Sequence, residues 1–141
     1  MGRVSFVLDT NIFSELSKRE PNRQVLAKFQ QHRFVSAGCA PVMHELEFGL
    51  AKMPTGRRQK ELREFLDGLL DEGIEVLPYD LDAAKRHAEQ RAKLTAKGMS
   101  PAYVDAQIAA IALVHEAAVA TRNTDDFKHF PGLRVDDWFE A

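Results

Sequence analysis

Asp9, Glu45, Asp105 and the run Asn123-Thr124-Asp125-Asp126 are the residues of this sequence whose type and placement suit chemistry. Carboxylates brought within a few ångströms of each other repel, which raises their pKa values and opposes folding unless a cation intervenes. Hard oxygen ligands without histidine or cysteine suit Mg2+ or Mn2+ better than Zn2+. Mg2+ keeps several waters, one of which can become a nucleophile. Two such ions about 4 Å apart stabilise both the attacking and the leaving oxygen of a phosphodiester.

Each acid must be placed by the element that carries it. Asp9 closes the short apolar run Val4–Leu8, a predicted buried strand, with a helix to follow from about Asn11. An acid there serves as the cap of the next helix. It equally lies where ligands bind in open α/β sheets, beyond the carboxyl ends of the strands. Pro41 suits the start of a helix running to about Met53, which puts Glu45 on the side of Val42, Phe48 and Gly49. Glu47 points about 200° around that axis, towards solvent. Gly49 removes side-chain bulk where a backbone or a substrate could approach.

Ser100 as cap and Pro101 as first residue predict a helix to about Glu116, with Asp105 beyond the first turn and unable to cap it. Asp105 then shares an apolar face with Ile108, Ala109 and Ala112, where an unpaired carboxylate is costly without a cation or strong donors. The segment from Thr121 to Phe127 follows a predicted strand at Ala117–Thr121. It reads either as a turn rich in Asn and Asp or as a fourth contributor to the site.

The remaining elements alternate in the same way. Helices are predicted from about Asn22 to Gln31 (Val25, Leu26 and Phe29 on one face), from Gly56 to about Asp71 (Leu62, Phe65, Leu66, Leu69) and from Leu81 to Lys97, stopped by Gly98. Further short strands are predicted at Phe34–Ala37, Glu75–Leu77 and Leu133–Val135. Strands alternating with helices imply a parallel sheet covered on both faces, an α/β sandwich. With 141 residues and no linker or repeat, the chain is expected to form one domain over 1–141.

Composition narrows the setting. The single cysteine, Cys39, cannot form an intrachain disulfide and fits a reducing compartment. The first ten residues lack a signal-peptide pattern, and no stretch nears the ~20 apolar residues of a membrane span. A soluble, cytoplasmic protein without a membrane partner is expected. The net charge of −2 excludes a whole-surface attraction to nucleic acid. Two basic runs (Lys52, Arg57, Arg58, Lys60, Arg63 and Lys85, Arg86, Arg91, Lys93, Lys97) read first as solvated helix faces and second as phosphate contacts. His44-Glu45 opens like a zinc-protease helix, but Phe48 stands where the second histidine is required. There is no glycine-rich phosphate loop and no nucleophile elbow.

Four segments in order, Leu8-Asp9-Thr10-Asn11-Ile12, Glu45-Leu46-Glu47-Phe48-Gly49, Asp105-Ala106-Gln107-Ile108-Ala109-Ala110 and Thr121-Arg122-Asn123-Thr124-Asp125-Asp126-Phe127, together resemble the PIN-domain ribonucleases. More closely, they resemble the VapC-type toxins of bacterial toxin–antitoxin pairs. The resemblance spans essentially the whole chain, including Phe127–Leu133 and Trp138. It implies a three-layer sandwich around a parallel sheet of four to five strands. It implies a Mg2+- or Mn2+-dependent endoribonuclease toxin that cleaves RNA with a metal-activated water. The implied partners are a second copy of the chain and a cognate VapB-type antitoxin, in a toxin–antitoxin hetero-oligomer.

By position, Asp9, Glu45 and Asp105 match the family's three most regular acids, and Asp126 is the candidate fourth metal ligand. Some members carry Asp where this chain has Asn123, a departure that bears on a second metal. Asn123 would then orient a water, and Thr10 would donate to a carboxylate or a phosphate. Two other readings stay open: a non-catalytic PIN-fold binding or regulatory module, and a Mg2+-dependent phosphohydrolase. The second lacks an acid at Asn11, two residues after the would-be nucleophile.

Overall fold

Short apolar runs and longer helical periods alternate along this chain, and the computed structural model, which describes residues 3–140, resolves them into strands and helices that alternate in the same sense. In chain order these are β1 (Phe6–Leu8), α1 (Thr10–Leu16), α2 (Arg23–His32), β2 (Ser36–Cys39), α3 (Ala40–Lys52), α4 (Arg57–Asp71), β3 (Glu75–Leu77), α5 (Leu81–Ala96), α6 (Tyr103–Val114), β4 (Ala118–Ala120) and β5 (Val135–Asp136). The strands form one sheet in the order β3-β2-β1-β4-β5, with every pairing parallel. Parallel neighbours require crossovers, so helices must flank this sheet. The predicted α/β sandwich is the observed fold.

This order carries a functional consequence. After β1 the chain moves to β2 and β3, then returns to β4 on the other side of β1 and moves outward to β5. The connections leaving β1 and β4 therefore diverge in opposite directions, which opens a crevice at their carboxyl ends. Register confirms the adjacency: Leu8 pairs with Ala120, and the N–H of Asp9 donates to the Ala120 carbonyl at 3.0 Å. Asp9 and Thr121 thus stand side by side at the switch point.

The core lies between the sheet and its helices. Val7, Leu8, Val119 and Ala120 are fully buried, as are Ile108, Ala109 and Ala112 of α6. Burying each of the larger aliphatic side chains contributes roughly 1.5–3 kcal/mol. α6 is apolar almost all round, which marks a helix enclosed on several sides. Trp138 is fully buried, packs edge-on against Phe6 at 5.3 Å and donates through Nε1 to Asp136. It ties the C-terminal segment to β1, the central strand. Among the described residues, no helix is long and apolar enough to cross a membrane.

Several boundaries differ from the sequence reading. The strand expected at Phe34–Ala37 begins at Ser36, because Arg33–Val35 forms a 3-10 turn and Ser36 Oγ donates to the His32 carbonyl. The apolar Phe34 is ejected into solvent, 91% exposed, with the Arg33 guanidinium over its ring. Ser100 and Pro101 do not start α6. Gly98 takes a left-handed φ of 74° to end α5, and Ala102 adopts an extended conformation as the residue before α6. Proline holds its predecessor extended, so Ser100 spans a connection instead of capping a helix. The first strand starts two residues later than the expected Val4–Leu8, and the fifth is shifted from Leu133–Val135 to Val135–Asp136.

Candidate active site

A cleft of about 420 Å³ opens at the switch point, with Asp9, Thr10, Glu45, Asp105 and Asn123 in its wall. Four separate elements supply them: the β1–α1 junction, α3, the start of α6 and the turn after β4. A neighbouring hollow of about 330 Å³ is lined by Asp105, Asp125 and Asp126, so Asp105 forms part of the wall of both. The larger hollow between α3 and α4, about 490 Å³, is lined by none of these acids; its one carboxylate is Glu47.

Asp9 fulfils both roles that its position allows. Its Oδ1 accepts the N–H of Thr10 at 2.8 Å, capping α1. Its Oδ2 accepts from Thr121 Oγ1 at 2.8 Å and from Asn11 Nδ2 at 3.3 Å. The carboxylate is buried, and burial pushes its pKa up against those hydrogen bonds, helped by the charges of Glu45 and Asp126. Asn11 is pivotal. Its Nδ2 also meets Thr121 Oγ1 at 3.2 Å, while its Oδ1 accepts the backbone N–H of Arg122 at 3.1 Å. One amide therefore ties the β1 end to the β4 end.

Glu45 is exposed at the cleft mouth, and its Oε1 accepts from Thr10 Oγ1 at 2.7 Å. Thr10 does donate to a carboxylate, and in doing so it links α1 to α3. Gly49 has open space around it, so no part of this chain presses against it; Phe48 is largely exposed beside it.

Asp105 stands in the first turn of α6, three residues after the cap, which corrects its expected place beyond that turn. An acid there is favoured by the helix dipole. Its pKa is nevertheless raised to about 6, first by burial and then by the charges of Asp9, Asp126 and Glu45, with no hydrogen bond or cation opposing them. The half-buried carboxylate thus carries a penalty for a different reason than the sequence suggested: neighbouring acids add to the cost of partial burial, and the apolar face does not act alone. Asp126 acts electrostatically on both Asp9 and Asp105, whereas Asp125 is drawn outward into a 3.0 Å pair with Lys128.

Among the described residues no three acidic, histidine or cysteine side chains already enclose a metal position. The donor chemistry still fits a hard cation. The charges acting on Asp105 are negative, and Asp9 Oδ1, which accepts one donor, keeps a lone pair for a cation, whereas Oδ2 already accepts two. Cys39 lies nearby but is buried, with its thiol pushed up to about 12, and offers no thiolate.

Thr121, Asn11 and Arg122 are site residues that sequence reasoning did not single out. Thr121 and Arg122 fall in the segment read as a turn or a site contributor without a role of their own, and the signal for Thr121 is a hydroxyl at a strand end two residues before Asn123. The basic run on α3 and α4 is largely occupied at home. Arg63 grips Glu47 through two bonds, at 2.6 and 3.0 Å, and also Asp67, Arg57 pairs with Glu61, and Arg58 donates to the Ser14 carbonyl.

The family model described as PIN domain matches residues 6–133. The chain is 39% identical over 125 residues to "VapC ribonuclease Y4jK" of Sinorhizobium fredii, covering 86% of this chain and 89% of that protein. It is 40% identical over 138 residues to "Plasmid stability protein StbB" of Pseudomonas syringae pv. tomato, covering 96% and 99%. Among solved structures, a chain of the DNA-bound VapBC complex from Salmonella typhimurium superposes with a TM-score of 0.83 at 28% identity, covering 96% and 98%.

Proposed function

The chain belongs to the PIN-domain family, and from that premise we propose that it is a metal-dependent endoribonuclease, a VapC-type toxin acting in the cytoplasm and neutralised by a cognate VapB-type antitoxin. The observation that carries this reading is that Asp9, Glu45 and Asp105 line one cleft at the switch point, with Asp126 in the hollow that shares Asp105, and that no ion pair neutralises Asp105 among the described residues. Similarity to a VapC ribonuclease and to a chain of a VapBC complex supports the activity and the antitoxin. Family resemblance adds a homodimer as the resting assembly of the toxin.

In this mechanism Asp9 and Asp105 would hold the main Mg2+ or Mn2+, with Glu45 as ligand or as the group that positions its water. Asp126, with Asn123 beside it, would serve a second ion or the water. When bound, the cation lowers the pKa of water and stabilises charge on the phosphoryl oxygens during in-line attack. The protein's part is orientation. Thr10 N–H, Thr121 Oγ1 and Asn11 Nδ2 fix both oxygens of Asp9, so little reorganisation remains when a cation arrives. Thr10 Oγ1 does the same for Glu45. The cleft is open, which suits an RNA loop whose unpaired backbone can enter it.

The test is cleavage of total RNA by the purified protein with Mg2+ or Mn2+ and with EDTA, beside Asp105→Asn. Metal-dependent fragments that vanish in the variant support the nuclease and its main ligand together. Equal behaviour of the two proteins would leave a non-cleaving PIN-fold binding module.

A further inference from the structure

Among the described residues two cationic side chains line the acidic cleft, Lys18 and Arg122, and their circumstances differ. Lys18 is spoken for: its Nζ lies 2.9 Å from Glu15 Oε1. Arg122 makes no ion pair among the described residues. The acid that feels its charge is Glu15, which already holds Lys18 and accepts the backbone N–H of Asn22 at 2.8 Å. Arg122 is exposed, yet its position is built. Its backbone N–H is bound by Asn11, and its guanidinium lies over the Phe139 ring, 4.9 Å from the centroid. Phe139 also lines the cleft, with its own N–H bound to Asp137 Oδ1 at 2.8 Å.

A guanidinium beside a group of acids would ordinarily collapse onto one of them. Here an aromatic face holds it, and its N–H fork remains available for a planar or tetrahedral oxyanion. The geometry points to Arg122, seated on Phe139, as the group that grips a phosphate of the single-stranded substrate next to the one cleaved. This rests on the RNA-cleaving reading above and deepens it. Asn11 gives the arrangement its register, because the same amide orients Asp9 on one side and anchors the Arg122 backbone on the other. Lysine could supply the charge at this position but not the planar stack or the two-pronged contact.

The experiment uses the full chain carrying Asp105→Asn, which binds without cutting, and a fluorescent single-stranded RNA of mixed sequence titrated across a salt series. Adding Arg122→Ala should weaken binding about tenfold at low salt. It should also reduce the slope of log affinity against log salt by about 0.7, the signature of one lost phosphate contact on a single strand. Arg122→Lys should restore the slope but only part of the affinity. With the acids intact, Arg122→Ala should raise KM for RNA while leaving kcat within about twofold. An unchanged slope and an unchanged KM overturn the inference. So does a loss explained by a lower melting temperature that Arg122→Lys fails to rescue. If wild type cleaves RNA and Asp105→Asn does not, such a result removes the Arg122 role alone. If wild type neither cleaves nor binds RNA, the nuclease reading falls and takes this role with it.

Discussion

Glu45 and Glu47 sit two residues apart on α3 and meet opposite surroundings. Glu47 faces α4, where Arg63 holds it through both oxygens and pulls its pKa below the ordinary carboxylate value. Glu45 faces the switch point, where a hydroxyl is its hydrogen-bond partner and its charge helps to raise Asp9 and Asp105. The α3–α4 face sets Arg63 between Glu47 and Asp67 and Arg57 beside Glu61, so these charges meet their opposites. The cleft gathers like charges. Residue type is the same in both places, and the element opposite decides whether a carboxylate is neutralised by a cation or left among like charges.

The sharpest way to test that contrast is the pair Glu45→Gln and Glu47→Gln, assayed for RNA cleavage. Glu45→Gln should lower cleavage by about a hundredfold or more, while Glu47→Gln leaves it essentially unchanged. Equal losses would erase the distinction.

A second, smaller effect concerns stability without metal. The Asp105 pKa rises from 3.8 to about 6 on folding. Between those values the folded state binds more protons than the unfolded state, so unfolding free energy must fall as pH rises through that window. The full penalty then stands at neutral pH. Asp105→Asn should therefore stabilise the EDTA-treated protein at pH 7, by about 1–2 kcal/mol once solvent screening is allowed for. Its denaturation midpoint should change less than the wild type's between pH 4 and 7. A variant that is less stable at pH 7 would show that the acids are not in conflict.

The smallest effect is expected on the α3–α4 side. Breaking the exposed Glu47–Arg63 pair with Glu47→Gln should cost less than about 1 kcal/mol in a denaturant titration, and less still in high salt. A larger loss would mean that this face carries more of the fold than its exposure implies.

Patterns confined to one element were legible in the sequence. β3 at Glu75–Leu77 and α5 closed by Gly98 follow from local apolar runs and a glycine stop, and the apolar face of Ile108, Ala109 and Ala112 is buried as its spacing requires. Asp9, Glu45 and Asp105 were legible because a carboxylate on an apolar face or a strand end is conspicuous. Ser100-Pro101 misled because a cap followed by proline is a local signal, and after α5 ends at Gly98 those residues are used in the connection to α6. Thr121, Asn11 and Arg122 stayed hidden because their importance exists only across the β1–β4 boundary, between residues more than a hundred positions apart. Residue type does not advertise a partner at that distance.

The bond from Thr121 to Asp9 closes a span of 112 residues. Chains are synthesised from the amino terminus, and pairings this remote form only after the loop between them has been drawn shut. Until β4 emerges and docks on β1, Asp9 lacks the hydroxyl that orients it and Arg122 has not arrived. Its assembly order is therefore a safeguard in time: a nascent or truncated chain carries three of the four acids but no finished centre. Any harm the protein can do begins only when nearly all of it has been made.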